Sequence, residues 1–241
     1  MKALRISSII VLLGALLASL FVSCNYSSNR VESVDSKTKL HEVKNFNQIM
    51  LVGGYNVTLI QSSDSEIIID AEEKFHDKTD IYVKNETLYL KMKKNQISTD
   101  SKINVEISFI ELEKITVEGG VVLNTDGFIK CDNFDIHIKG GAHSNIKIKA
   151  NHINAKGEGG VNMRFEGVSD TFTVSTEGAG NIDARHLKSR VVNCRVAGVG
   201  NASVYATDEL FANVEGLGRI NYRGNPEVHK NVQGIGVVHR K

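Results

Sequence analysis

The chain of 241 residues has no tryptophan, a single proline and only three cysteines. One proline excludes collagen-like and polyproline architectures, and three cysteines are too few for a disulfide scaffold. An excess of one charge is missing too, since 29 basic and 28 acidic residues leave a formal charge of +1. Nucleic-acid binders concentrate positive charge, so this balance argues against DNA or RNA as a partner. No amphipathic helix of ordinary length follows the first apolar run. The hydrophobic fraction of 41% nevertheless lies well above the disordered range, and the length suits one large domain or two small ones.

The apolar run is Ile9 to Val22, preceded by Lys2 and Arg5. It fits the hydrophobic region of a secretory signal and is short for a helix crossing a ~30 Å hydrocarbon core. Leu20-Phe21-Val22-Ser23-Cys24 then sets a cysteine after an apolar stretch and a small residue. This resembles the bacterial lipobox, with Phe21 where the motif usually has leucine. It implies a signal peptide over residues 1–23, cleavage before Cys24 and lipid attachment at Cys24. Each buried CH₂ contributes about 0.8 kcal/mol, so two or three acyl chains would hold the protein firmly at a membrane. A plain secretory signal with an incidental Cys24 is the alternative. Residues 24–41 are polar, serine-rich and without apolar periodicity, and read as a flexible tether. The expected location is the cell envelope, as an outer-membrane lipoprotein. No acidic tract follows Cys24, so the side of the membrane stays open.

Only three of the 21 glycines precede residue 119, and the others recur with a period. Gly119, Gly140, Gly159, Gly178, Gly198, Gly216 and Gly234 each open a Gly-Gly or Gly-x-Gly mark, at intervals of 21, 19, 19, 20, 18 and 18 residues. The segments after them align without gaps, as in Gly180-Asn-Ile-Asp, Gly200-Asn-Ala-Ser and Gly218-Arg-Ile-Asn. Between the marks lie alternating segments such as Phe134-Asp-Ile-His-Ile-Lys, which read as half-buried strands. Glycine supplies positive-φ corners and close backbone approach. A period of 18–21 is too short for a propeller blade and lacks a leucine-rich consensus. It predicts an all-β fold: a parallel β-helix, or solenoid, with one period per turn.

Residues 42–114 differ in texture. They read as strands at Gln48–Val52, Tyr55–Gln61, Glu66–Ala71, Ile81–Lys84, Leu88–Lys93 and Ile103–Phe109. Gly53-Gly54 looks like an early copy of the corner, and Lys84-Asn85-Glu86-Thr87 like a tight turn. The reading is irregular N-terminal starting turns of the same solenoid, within one domain over residues 42–241; a separate small β-domain is the alternative.

The opening Phe46-x-x-Ile49…Gly54-x-x-Val57, Thr87-Leu88 before a strand, and the serial Gly-x-Gly-Asn corners together resemble the auto-transporter adhesin "head GIN" domain of Bacteroidetes lipoproteins. The resemblance covers about residues 42–240. It implies a right-handed parallel β-helix and an exported location. Adhesion is implied by the family name, and no catalytic residue carries over.

Tests for chemistry return little. Gly178-Ala-Gly180 lacks the third glycine and the helix of a dinucleotide fingerprint. Asp183 has Ser203 and Asn221 as its counterparts, which argues against stacked calcium sites. Asn181 and Asn201 suit a short amide ladder instead. His137, His143 and His152 lack a completing cysteine or carboxylate pair, so no metal site is expected. Cys131 and Cys194 fall three turns apart, beyond bridging distance, and read as isolated buried thiols. Glu158, Glu177, Arg195 and Glu215 precede their corners at similar offsets and form a solvated charged face. A β-helix carbohydrate-active enzyme, a lyase or hydrolase, would need two or more carboxylates, or a carboxylate with Arg or Lys, on one outer face there. The preferred reading has no catalytic residues and no cofactor: a binding or structural module facing a glycan or an envelope protein.

Overall fold

The computed structural model describes residues 36–93 and 103–241. The expected signal peptide, Cys24 and most of the expected tether lie outside the described residues. No helix among the described residues is long and apolar enough to cross a membrane.

The described residues are all-β apart from one helical turn. Strands β1 (Ser36–Glu42), β2 (Gln48–Gln61) and β3 (Glu66–Glu72) precede the short helix α1 (Glu73–His76). Then come β4 (Thr79–Lys84), β5 (Thr87–Met92), β6 (Asn104–Phe109) and β7 (Lys114–Asp126). An unbroken extended run, β8 (Ile129–Arg223), leads to β9 (Glu227–Gly234) and β10 (Val237–Arg240). All ten belong to one mixed sheet that does not close on itself.

From β2 onward the pairing along the main stack is parallel. Strand β7 lies on β2 from Gln48↔Lys114 to Ile60↔Asp126, which sets Gly53-Gly54 against Gly119-Gly120. Strand β8 then lies on β7 with Gly119 opposite Gly140, and β9 lies on β8 with Gly216 opposite Gly234. Side-chain bonds within β8 keep the same intervals: Asn154 donates to Asp135 nineteen residues back, Asn181 to Asn162 nineteen back, and Asn193 to Thr173 twenty back. The amide bond of Asn181 thus runs to Asn162, one row earlier than the Asn181–Asn201 pair expected.

Alternation explains the core. In β7 Ile115, Val117, Val121 and Leu123 are buried while their neighbours face out. Phe134, Phe172, Val192 and Leu210 follow in the next layers, all buried. Ile182, Ala202 and Ile220, two residues after their glycine marks, are buried as well. The inward parity resumes after each corner: the opening glycines Gly178, Gly216 and Gly234 are exposed, while Gly180, Gly218 and Gly236 face side chains of the core. Gly218 shows the consequence, since a Cβ there would lie 2.9 Å from Val196 Cγ1 and Val214 Cγ1.

The N-terminal part departs from the expectation in its order. The two segments predicted on either side of Gly53-Gly54 are one strand, β2, in regular parallel register. The chain then folds back over the other edge of β2. Strand β5 pairs with residues 48–52 and β6 with residues 56–61, both parallel. Three antiparallel pairs, β4–β5, β3–β6 and β1–β3, complete this side. An edge of a parallel stack exposes unpaired backbone, and the hairpins cover it. The tether reading needs a correction here, because Ser36–Glu42 pairs along β3 with Lys37 and Lys39 bound to Glu73. The predicted turn is a two-residue hairpin with Asn85 and Glu86 both at positive φ (49° and 56°), the primed geometry that matches strand twist. Residues Asp35–Lys241 form a single compact unit.

Candidate functional site

Parallel register turns sequence distance into rows. Phe211 stands opposite His229, Asn213 opposite Asn231 and Glu215 opposite Gln233. Because alternate residues face out, each row on this face is a line of side chains drawn from successive layers.

The band ahead of the glycine marks, made of the rows one and three residues before them, is ionic. His137 Nε2 lies 3.0 Å from Glu158, and Lys156 bridges Glu158 at 2.8 Å and Glu177 at 3.6 Å. Arg195 spans Glu177 at 3.5 Å and Glu215, to which Nε and Nη2 donate at 3.0 and 2.6 Å. The four residues singled out from sequence, Glu158, Glu177, Arg195 and Glu215, are therefore joined, with Lys156 and His137 as members that sequence reasoning left out. Hydrogen bonds from Lys156 and then His137 hold the Glu158 carboxyl down at about 2, and the Arg195 hydrogen bond lowers that of Glu215. A general acid must keep its proton near the working pH, which neither of these two carboxyls does.

Alongside this band a groove of about 670 Å³ opens across four layers. Thr173, Asn193, Phe211 and His229 line it on one side, Ser175, Arg195, Asn213 and Asn231 on the other. Asn193 Nδ2 donates to Thr173 Oγ1 at 3.4 Å, and Asn213 Nδ2 to Glu215 at 2.9 Å. The Phe211 and His229 rings stack with centroids 4.7 Å apart and planes 16° apart. Sequence reasoning missed the pair, although 18 residues separate them, the interval of the last glycine marks. A second hollow of about 390 Å³ lies at the corners beside Val199, Leu217 and Ile235. Asn201 and Arg219 are the polar side chains of its lining, which is otherwise aliphatic or glycine.

Each of the seven opening glycines has positive φ, between 101° and 128°. Gly127, Gly167 and Gly224 share the conformation outside the periodic marks. Among the described residues no three His, Cys, Asp or Glu side chains converge on a point where a metal would fit. His137 is engaged by Glu158, while His143 lies opposite Val122 in a different row. Both described cysteines are free. Cys194 is buried and Cys131 half-buried, with burial pushing the thiols up to about 12 and about 11.

These features define an all-β protein of stacked parallel layers that carries a polar face. The chain belongs to the family described as "Putative auto-transporter adhesin, head GIN domain", whose model matches residues 45–226. It is similar to a putative adhesin from Bacteroides fragilis, at 26% identity and a TM-score of 0.83, over 87% of this chain and 98% of that one. A putative lipid binding protein from Parabacteroides distasonis is 22% identical, with a TM-score of 0.64 over 86% and 96%. A putative adhesin from Parabacteroides merdae is 21% identical, with a TM-score of 0.62 over the same shares. The last two bear on the fold alone. No curated protein matches the chain. At this level the family is adhesin-like and directed to the cell envelope or surface, in keeping with the Bacteroides fragilis protein.

Proposed function

We propose that this chain is a non-catalytic, adhesin-like binding module, built as a right-handed parallel β-solenoid and held at the outer membrane by lipid on Cys24. The observation that carries the reading is the groove beside Phe211, set next to a band of mutually paired charges from His137 to Glu215. In the layers before β9 the strands have a neighbour on each side, so recognition there falls to the outward side chains. The seven glycines act as the corners, one per turn of 18–21 residues. Membership in an adhesin-like family supports a binding role. The Ser23-Cys24 junction after an apolar run supports the anchor. The partner is a glycan or an envelope protein, and the reading needs no cofactor, metal or nucleic acid.

The test is to incubate the purified chain with polymeric glycans and with envelope fractions and to follow both retention and cleavage. Retention with intact polymer is expected. Release of shortened oligosaccharide, abolished by Glu158→Gln or Glu177→Gln, would overturn the reading in favour of a carbohydrate-active enzyme. For the anchor, Cys24→Ala should leave uncut precursor or unanchored product. A variant that still enters the detergent phase as acylated protein would contradict it.

A further inference from the structure

We propose that the groove beside Phe211 is a subsite for a neutral sugar, with the Phe211 ring as its wall and Thr173 and Asn193 as its polar floor. The proposal rests on the binding-module reading above and names the ligand class for that face.

The aromatic wall follows from register. Phe211 lies between Asn193, one layer before, and His229, one layer after. His229 stacks on one face of the ring, which leaves the other face turned toward Asn193 and Thr173. The side chain is still 40% exposed. A pyranose has an apolar C–H face and a rim of hydroxyls. Its apolar face packs against an aromatic surface, and amphipathic sites of this kind join a flat ring to a few placed polar groups.

The floor supplies those groups. Asn193 donates one N–H to Thr173. Its second N–H, its carbonyl oxygen and the Thr173 hydroxyl proton are left for a ligand, so the floor both donates and accepts, as a sugar hydroxyl does. The groove volume of about 670 Å³ falls within the usual range for small-ligand sites, roughly 300–1,000 Å³.

Charge decides against an acidic sugar. Two cations line the groove: Arg195 is committed to Glu215 through two hydrogen bonds and to Glu177 through an ion pair, and Lys230 stands opposite Ala212 in the layer of His229, on the far side of the Phe211 ring from Asn193 and Thr173. A uronate or sulfate would have to compete with that network. Backbone geometry decides against an extended peptide. Residues 193 and 211 belong to layers with a parallel neighbour on each side, so strand addition is confined to the outer edge of β9, beyond His229 and away from the Asn193–Thr173 side of the ring.

The experiment displays neutral, uronate-containing and sulfated oligosaccharides on one array and probes it with the chain and with Phe211→Ala, Asn193→Ala and Phe211→Tyr. Circular dichroism melts show that each variant is folded. The proposal expects binding to neutral glycans, weakened about tenfold or more by Phe211→Ala and by Asn193→Ala and retained by Phe211→Tyr. No binding to the neutral set, a preference for the acidic sets, or neutral binding indifferent to Phe211→Ala would each overturn it. Capture of a protein ligand, or of a glycan independent of Phe211, leaves the binding-module reading standing while this inference fails. Cleavage of a glycan bound through Phe211 does the reverse.

Discussion

Gly216 abuts Gly198 so closely that a Cβ on Gly216 would lie 2.7 Å from the Gly198 carbonyl oxygen, at a φ of +107°. Two costs therefore meet at one atom, the positive φ and the overlap with the backbone of the preceding layer. Gly216→Val should destabilise the protein by about 2–4 kcal/mol, the sum expected of left-handed strain and steric overlap. Gly141 is the control. A Cβ there meets nothing within 4 Å, so Gly141→Ala should stay within about 0.5 kcal/mol. Urea unfolding of the two variants checks this. Equal losses would contradict the corner assignment for Gly216.

Ser169 and Ser189 form a buried hydroxyl pair, Oγ to Oγ 2.7 Å, with exposures of 9% and 0%. Ser189→Ala strands the Ser169 hydroxyl and should cost about 1–3 kcal/mol. The double replacement should recover most of that loss, because no polar group is then left without a partner. A double-mutant cycle in denaturant measures the coupling. Simple additivity would show that the pair does not act as one.

The ionic band predicts an acid limb. Glu158 has a folded pKa of about 2, below the unfolded value of roughly 4.3. A depressed carboxyl contributes stability that is fully present above the unfolded value and is lost as pH falls through the folded one. Stability should therefore decline between about pH 4.5 and pH 2. Lys156→Met, which removes the first cause of the shift, should flatten that decline, and added salt should weaken the effect in the parent protein because the band is exposed. Denaturant midpoints across this range are the measurement. An acid limb unchanged in Lys156→Met would rule the band out as its source.

What could be read in advance follows the physics of each position. Gly216 is legible because no other residue takes its φ and its spacing, and Asn85-Glu86 because the strands on either side need a tight connection. Ile182, Ala202 and Ile220 are buried at matching offsets because inward parity resumes after each corner. The order of the first strands was not legible. Alternation marks which side of Leu88 or Val105 is buried, but not that β5 and β6 lie on the far edge of β2. Ser36–Glu42 passed for tether because a strand at the edge shows little apolar alternation, with Lys37 and Lys39 facing water. Phe211 and His229 carried a usable signal in their 18-residue separation, but it becomes a site only when the layers put their rings in contact. Gly127, Gly167 and Gly224 fall off the period and gave no warning of their conformation.

The central claim is that the glycine marks are successive layers of one parallel stack, from which the binding face follows. Spin labels at Glu118 and Gln233, the residues just before the first and last marks, test it most directly in a chain with Cys24, Cys131 and Cys194 replaced by alanine. Six layer intervals at ~4.8 Å place the two backbones about 29 Å apart, so pulsed dipolar spectroscopy should give one narrow distribution near that distance. Moving the first label to Lys139 should shorten it by about one layer, ~4.8 Å. A broad distribution, or a distance that does not shorten with that step, would contradict the stack and the function built on it.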